Sequence, residues 1–378
     1  MTKRIGVIGA GQLARMLQPE VTALGGTLTV LDPDARAPAS ANADAQVMGG
    51  YHDAEAIAAL AAQVDVITVE LEDVGVDALA RVRDAGTPVY PAPELIALIR
   101  DKLTQKQAYR RLGIPTSPFV EVNPDNAAAF ADFGYPLVQK TRTGGYDGRG
   151  VVVMDSEADY PERLTSPSFI EKKVDARMEL AVMVARTPDG QCAVFEPVEM
   201  VVDPDLNLLD LLLTPARIDG ELRTQAQSLA ETVVTQLQGV GLFGVELFVT
   251  HDDQLLVNEI APRAHNSGHH SIEACQTSQF GQQARLLLGL PLGSTEQPKP
   301  AALVNLIGAQ GWQGPTEVEG LSAALAIPGV SVHLYGKAEC RPGRKMGHFS
   351  VVADSVDQVL ANARAAKAIL VIKGHNAQ

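Results

Sequence analysis

Short apolar runs alternate with longer amphipathic stretches from the start of this chain. Ile5, Val7 and Ile8 lie in one run, residues 12 to 24 repeat apolar positions every three or four residues until Gly25-Gly26, and residues 28 to 31 form a second run. Runs of roughly four to eight residues read as buried strands, and a 3.6-residue repeat ended by glycine reads as a helix. The opening is therefore a strand, a helix and a strand. Residues 65 to 70 and 87 to 90 supply two further strands, with Ala- and Leu-rich helical patterns between them. Helices between consecutive strands imply parallel crossovers, so an open parallel sheet is expected over about the first hundred residues.

Beyond Pro91-Ala92-Pro93 the rhythm changes. A helix is predicted from Asp101 to Leu112, closed by Gly113 and Pro115, which places a boundary near residue 100. From Phe119 short strands and helices alternate, with a glycine-rich connection at 144 to 150 and an apolar strand over Leu180 to Val184. Asp189-Gly190 then offers a turn into a partner strand. A helix from Glu221 to Leu237 precedes two strands, Gly244 to Val249 and Leu255 to Glu259. Gly289 to Pro300 reads as a linker, and the remainder mixes short strands with a final helix, Val356 to Leu370. The expected fold class is α/β followed by α+β.

Composition narrows the function. At roughly 150 residues per domain, 378 residues suggest two or three domains. Lys+Arg 31 against Asp+Glu 45 leaves a net charge of −14, which repels nucleic acid and anionic membrane surfaces, so neither is an expected partner. Cys192, Cys275 and Cys340 are scattered, form no CxxC spacing, and fit a reducing cytoplasm. No apolar stretch approaches the roughly 18 residues of a spanning helix, and no long apolar segment of the signal-peptide kind stands at the start.

Several stretches carry candidate chemistry. Gly9-Ala10-Gly11-Gln12-Leu13-Ala14, with Asp32 at the end of the next strand, fits a dinucleotide fingerprint or a tight turn that merely needs small residues. A helix N-terminus there suits a phosphate. Residues 140 to 150, Lys-Thr-Arg-Thr-Gly-Gly-Tyr-Asp-Gly-Arg-Gly, join two apolar strands through a flexible basic loop. Its backbone N–H groups, with Lys140, Arg142 and Arg149, suit a polyphosphate, although the Walker A pattern is absent.

Glu246 and Glu259 form the sharpest pair. A two-residue turn at Asp252-Asp253 would set them directly opposite on one face with Phe248, Val257 and Leu255, and a four-residue turn would make them diagonal neighbours. Two carboxylates side by side in apolar surroundings repel, and a divalent cation resolves the conflict. Oxygen ligands with Asn258 adjacent suit Mg²⁺. The following segment presents Arg263, His265 and Asn266, which suit a small polar or anionic substrate beside that metal. His265 and His269 are four apart, but Gly268 intervenes and no acidic third ligand is at hand, so zinc is not expected. Near the C-terminus Lys337, Arg341, Arg344 and Lys345 concentrate positive charge of the kind that holds a phosphate monoester.

Together these stretches resemble the ATP-grasp superfamily and, within it, the family of 5-(carboxyamino)imidazole ribonucleotide synthases, the ATPase subunits of phosphoribosylaminoimidazole carboxylase. The carrying segments are G-A-G-Q-L-A-R-M at 9–16, K-T-R-T-G-G-Y-D-G-R-G at 140–150, E-K-K-V at 171–174, F-G-V-E-L-F at 243–248, N-E-I-A-P-R-A-H-N-S-G-H at 258–269 and R-P-G-R-K-M-G-H at 341–348. The resemblance implies a Rossmann-like N-terminal domain (1–100), an ATP-grasp core (101–298) and a small C-terminal domain (299–378). It implies that Arg100 and Lys140 contact ATP, that Gly145, Tyr146, Asp147, Gly148, Arg149 and Gly150 close over its phosphates, and that Glu171, Lys172, Lys173 and Val174 line the adenine pocket. Glu179 would hold the ribose, and Glu246, Asn258 and Glu259 would bind Mg²⁺, with Asn258 and Glu259 also touching ATP. Arg263, His265 and Asn266 would face bicarbonate or carboxyphosphate.

For the ribonucleotide substrate the resemblance implies Gln12, Leu13, Tyr146, Asp147 and Arg149, with Lys337 and Arg344 on its phosphate. The implied reaction is ATP-dependent carboxylation of 5-aminoimidazole ribonucleotide with bicarbonate through carboxyphosphate, in purine biosynthesis, by a cytoplasmic homodimer. Two positions depart from the family pattern: Ala10 stands where a glycine is usual, and Glu199-Met200-Val201-Val202 stands where Glu-Asn and then a His are expected. The competing readings are an NAD-dependent dehydrogenase, a neighbouring ATP-grasp ligase with another acceptor, and a nucleotide-binding module without turnover.

Overall fold

The computed structural model describes residues 3–145, 150–203 and 208–377. Four parallel strands open the fold in the spatial order Ala45–Met48, Thr27–Asp32, Arg4–Ile8, Val66–Val69. Three of them lie where the apolar runs predict strands. Ala45–Met48 carries no such run, because none of its residues is buried. The strand expected at 87 to 90 is instead a single bridge between Ile67 and Val89. Pro88 and Pro91 lack the N–H donors that would extend it.

Pro93–Arg100 is a helix that the sequence pattern did not mark, and it runs into the expected one at Lys102–Leu112. Asp101 caps that second helix by accepting from the Leu103 and Thr104 N–H groups at 3.0 and 3.2 Å, and left-handed Gly113 (φ 70°) ends it. A small antiparallel sheet follows, in the order Phe119–Val122, Ser168–Lys172, Leu137–Thr141, Val151–Met154.

Among the described residues the largest sheet has nine strands. Its path is Leu255–Ala261, Gly241–Thr250, Ala176–Arg186, Val198–Asp203, Leu208–Thr214, Ala301–Ile307, Lys345–Val352, Val330–Leu334. Cys192–Val194 pairs on Ala176–Arg186 through the turn that Asp189-Gly190 predicts. Because Leu208–Thr214 pairs with Ala301–Ile307, the sheet crosses the connector at 289 to 300 without a break.

Alternation along Ala176–Arg186 sends side chains to two cores. Met183 and Ala185 pack with Leu13, Leu17 and Val21 of helix Gln12–Ala23 and with Phe280 and Leu287 of helix Gln279–Leu288. Leu180, Val182 and Val184 pack on the other face against Leu222, Ala226, Ala230 and Val233, the apolar stripe of helix Gly220–Gln236. Each fully buried Leu or Val contributes about 1.5–3 kcal/mol, so the first unit is tied to the large sheet by a shared core. Among the described residues no helix is long and apolar enough to cross a membrane.

Candidate active site

The hairpin Gly241–Thr250/Leu255–Ala261 pairs Glu246 directly with Glu259, by a route other than the expected one. Thr250 N donates to Gln254 O at 3.0 Å and Asp253 is left-handed (φ 61°), so the loop is longer than two residues. Leu247, Phe248 and Val249 pair with Val257, Leu256 and Leu255, and the register then shifts so that Glu246, Val245 and Gly244 pair with Glu259, Ile260 and Ala261. Asn258 is the extra residue. A bulge sets two residues against one and interrupts the alternation of faces. Asn258 and Glu259 therefore both meet Glu246, and Asn258 Nδ2 donates to Glu246 Oε2 at 3.2 Å. The same shift corrects the expected face-mates: Val257 and Leu255 pack into the core with Leu247 and Val249.

Three lysines converge on these groups. Lys102 pairs with Glu259, Lys140 donates to Asn258 Oδ1 at 2.9 Å and pairs with Glu171 at 2.5 Å, and Lys106 pairs with the other Glu171 oxygen at 2.7 Å. Burial raises the Glu171 carboxyl, but Lys140 and Lys106 outweigh it and hold the group at about 2. Burial also raises both site carboxylates. Lys102 and Lys140 bring Glu259 below its ordinary range, whereas Glu246 stays above it because the Glu259 charge adds to the burial. The pair thus has one carboxylate with an ammonium partner and one still short of positive charge, which fits a divalent cation. Among the described residues no group of three or more His, Cys, Asp or Glu forms a cage, so the donor set is two carboxylates and an amide. Mg²⁺ typically takes such a set together with substrate phosphates.

Other expected residues are placed as follows. Arg100 donates to Val74 O at 3.3 Å and lies 3.8 Å from Asp73, so the cation its helix junction delivers to the carboxylate pair is Lys102. Lys102 and Lys106 escaped the sequence reading because two lysines four apart on a helix look like a solvated face. Arg142 is taken up by Asp101 (2.5 Å) and Glu121 (2.9 Å) rather than left for an anion. Glu171 is 2% exposed, and its side chain is the counter-ion of the two lysines. Lys172 donates to Phe133 O and Gly134 O at 2.7 Å, capping helix Ala127–Phe133, and exposed Lys173 pairs with Asp155 at 2.7 Å. Val174 is half-buried beside them. Glu179 sits opposite Phe248 in register, with its carboxyl raised by burial. Gly145 and Gly150 flank the loop, while Tyr146, Asp147, Gly148 and Arg149 lie outside the described residues.

The segment after the hairpin folds back over the pair. His265 Nε2 lies 3.4 Å from Glu246 Oε1, and its Nδ1 meets Ser267 Oγ at 2.7 Å. Asn266 exchanges hydrogen bonds with Asn305, and Arg263 Nε lies 2.9 Å from Glu72. His269 is buried against His348, and Gln279 bridges it to the His265 backbone, its Nε2 meeting His269 Nδ1 at 2.7 Å and donating to His265 O at 3.0 Å.

At the first glycine turn the N-terminus of helix Gln12–Ala23 already holds an anion from the chain itself. Glu70 accepts from Gly11 N at 2.5 Å and Ala14 N at 2.9 Å, and a Cβ on Gly9 or Gly11 would stand 2.3 Å from Glu70 atoms. Burial pushes Glu70 up to about 6. Asp32, the other element of the dinucleotide fingerprint, accepts from Ala10 N and from the Tyr51 hydroxyl. Gln12 and Leu13 occupy the first turn of the helix, and Leu13, Glu70 and Arg263 line one small cavity. Arg15 lies against Gly336, within 3.1 Å of where a Cβ would stand, next to Lys337. Lys337 Nζ donates to Lys345 O at 2.6 Å and Arg344 donates to Glu339 O at 2.5 Å, so both expected phosphate cations share one corner. In the second departing segment Glu199 pairs with Arg217.

Three family profiles match the chain: ribonucleotide synthetase preATP-grasp domain over residues 1–100, ATP-grasp domain over 107–280 and phosphoribosylaminoimidazole carboxylase C-terminal domain over 301–362. The N5-carboxyaminoimidazole ribonucleotide synthase of Synechococcus elongatus is 43% identical over 357 residues, covering 92% of this chain and 89% of that one. The crystal structure of N5-carboxyaminoimidazole ribonucleotide synthetase from Thermotoga maritima superposes with a TM-score of 0.92 at 42% identity, covering 99% and 100% of the two chains. The Aspergillus clavatus N5-carboxyaminoimidazole synthase, solved with ADP and 5-aminoimidazole ribonucleotide, gives 0.88 at 34% identity over 97% and 98%. These matches displace the dehydrogenase reading, whose two fingerprint elements are occupied by hydrogen bonds within the chain. The chain belongs to the N5-carboxyaminoimidazole ribonucleotide synthase family of ATP-grasp ligases.

Proposed function

We propose that this ligase transfers the γ-phosphoryl group of ATP to bicarbonate and then joins the activated carboxyl to the exocyclic amine of 5-aminoimidazole ribonucleotide. The observation that carries the reading is the meeting of Glu246, Asn258 and Glu259 with Lys102, Lys140 and His265, in a family with a member solved with ADP and that ribonucleotide. Bicarbonate is a poor electrophile. A bicarbonate oxygen attacks the γ-phosphorus and the bond to ADP breaks, giving carboxyphosphate. The amine nitrogen then attacks the carboxyl carbon, phosphate leaves, and one proton departs from nitrogen.

The side chains supply positioning and charge, which is most of what phosphoryl transfer requires. Lys102 and Lys140 neutralise phosphate oxygens, and Arg263 and Asn266 hold the bicarbonate end. His265, whose Nδ1 is fixed by Ser267, is the imidazole in place to take the amine proton. Glu246, Asn258 and Glu259 would hold Mg²⁺, which when bound supplies neutralising charge across the transferred phosphates. Gln12 and Leu13 would meet the ribonucleotide, with Lys337 and Arg344 on its phosphate. The same reading divides the chain into 1–100, 101–298 and 299–378 and makes it a cytoplasmic homodimer.

The test is ADP release from MgATP and bicarbonate at neutral pH, with and without 5-aminoimidazole ribonucleotide. Strong stimulation by the ribonucleotide is expected. ADP formation indifferent to it would overturn the acceptor assignment.

A further inference from the structure

The loop carrying His265 and Asn266 is clamped from outside its own unit. Asn266 and Asn305 exchange two side-chain hydrogen bonds, each Nδ2 donating to the other's Oδ1 at 2.9 Å. Asn305 is 9% exposed in Ala301–Ile307 and stands opposite His348 of Lys345–Val352 in register. The His348 ring stacks on His333 at 4.7 Å and lies 5.0 Å from His269, and its Nδ1 meets the Tyr335 hydroxyl at 2.9 Å. Tyr335 precedes Lys337 by two residues, and His348 follows Arg344 by four. A largely buried seam thus runs from the loop to the corner that holds Lys337 and Arg344.

The chemistry of this seam is specific. Apolar contacts would join two units at many angles, whereas two amides that pair with each other do so in one geometry, and losing Asn305 takes from Asn266 both hydrogen bonds of that pairing. We infer that Asn305 is a positioning residue for the carboxylation, acting through Asn266 to hold the catalytic loop in register with the strands that carry Lys337 and Arg344. The inference rests on the functional reading above, in which that loop faces bicarbonate and that corner faces the ribonucleotide phosphate.

Asn305→Ala, Asn266→Ala and the double variant test it, through ADP formation with and without the ribonucleotide, KM for ATP and melting temperature. Asn305→Ala is expected to lower ribonucleotide-dependent kcat about tenfold and ribonucleotide-independent ADP formation by a smaller factor, while KM for ATP stays unchanged. The double variant is expected to be no slower than the slower single variant, because Asn305 acts through Asn266. Full ribonucleotide-dependent kcat in Asn305→Ala, losses that multiply in the double variant, or an equal fall in both activities overturns the inference. Asn305→Asp keeps the shape and one accepting oxygen, so it decides the matter should the alanine protein not fold: a selective loss supports the role and full activity removes it. If the unaltered protein shows no ribonucleotide-stimulated ADP release, the functional reading falls first and the inference with it.

Discussion

Two carboxylates in this molecule, Glu70 and Glu259, are neutralised in opposite ways. Glu70 takes backbone N–H groups at a helix start, whereas Glu259 takes the Lys102 ammonium with Lys140 close by. Backbone donors cannot withdraw without unwinding the helix. An ammonium on a flexible stem can rotate away and leave its place to a metal ion. The first arrangement is a fixture and the second is an exchangeable site, although both bury the same functional group.

The comparison breaks most visibly at Glu259. Glu259→Gln keeps the shape and removes the charge, and is expected to lower ADP formation by about a thousandfold or more, with the melting temperature within a few degrees. Coupled ADP assay and thermal circular dichroism check both halves. A variant with full turnover would remove the metal assignment.

Stability responds next. Lys106→Met leaves the Glu171 carboxylate buried with Lys140 as its remaining ion-pair partner, and is expected to destabilise by about 3 kcal/mol in urea unfolding. Gly11→Ala pushes a methyl into the Glu70 carboxylate and is expected to cost about 1–3 kcal/mol. Adding Glu70→Ala relieves that clash, so the double variant should be more stable than the two losses summed predict. Simple additivity would mean that the glycine makes room for something else.

The smallest effect is a pH dependence. Burial puts the folded-state Glu70 at about 6, above its ordinary value of 4.5, so the folded protein holds this proton more tightly than the unfolded chain. Stability from that proton is complete below about pH 4.5 and is lost as pH rises through 6. Glu70→Gln should therefore gain on the unaltered protein across that window and level off above it, as read from melting temperatures at each pH.

What local pattern encodes was legible before the structure. Asp101 and Gly113 bound their helix as capping chemistry requires, and period-two alternation brought Glu246 and Glu259 together. The pairing was right although the turn was not, because the bulge at Asn258 restores the register that the longer loop removes. No short-range rule shows a bulge. Lys102, Lys106, Glu70, Arg15 and Asn305 stayed hidden for a related reason. Their partners lie far away along the chain, 59 residues in the case of Gly11 and Glu70 and 39 in that of Asn266 and Asn305. Periodicity reports which face of an element is buried, not which element covers it.

The unbroken nine-stranded sheet makes the 289–300 connector a poor place to cut this chain in two. A fragment ending there would lose Ala301–Ile307 and leave Leu208–Thr214 as a bare strand edge, with Leu212 and Leu213, now at most 1% exposed, uncovered beside it. Such an edge recruits strands from other molecules. The fragment would be recovered as aggregate, and the loss of a neighbouring strand would be read in the assay as loss of the chemistry itself.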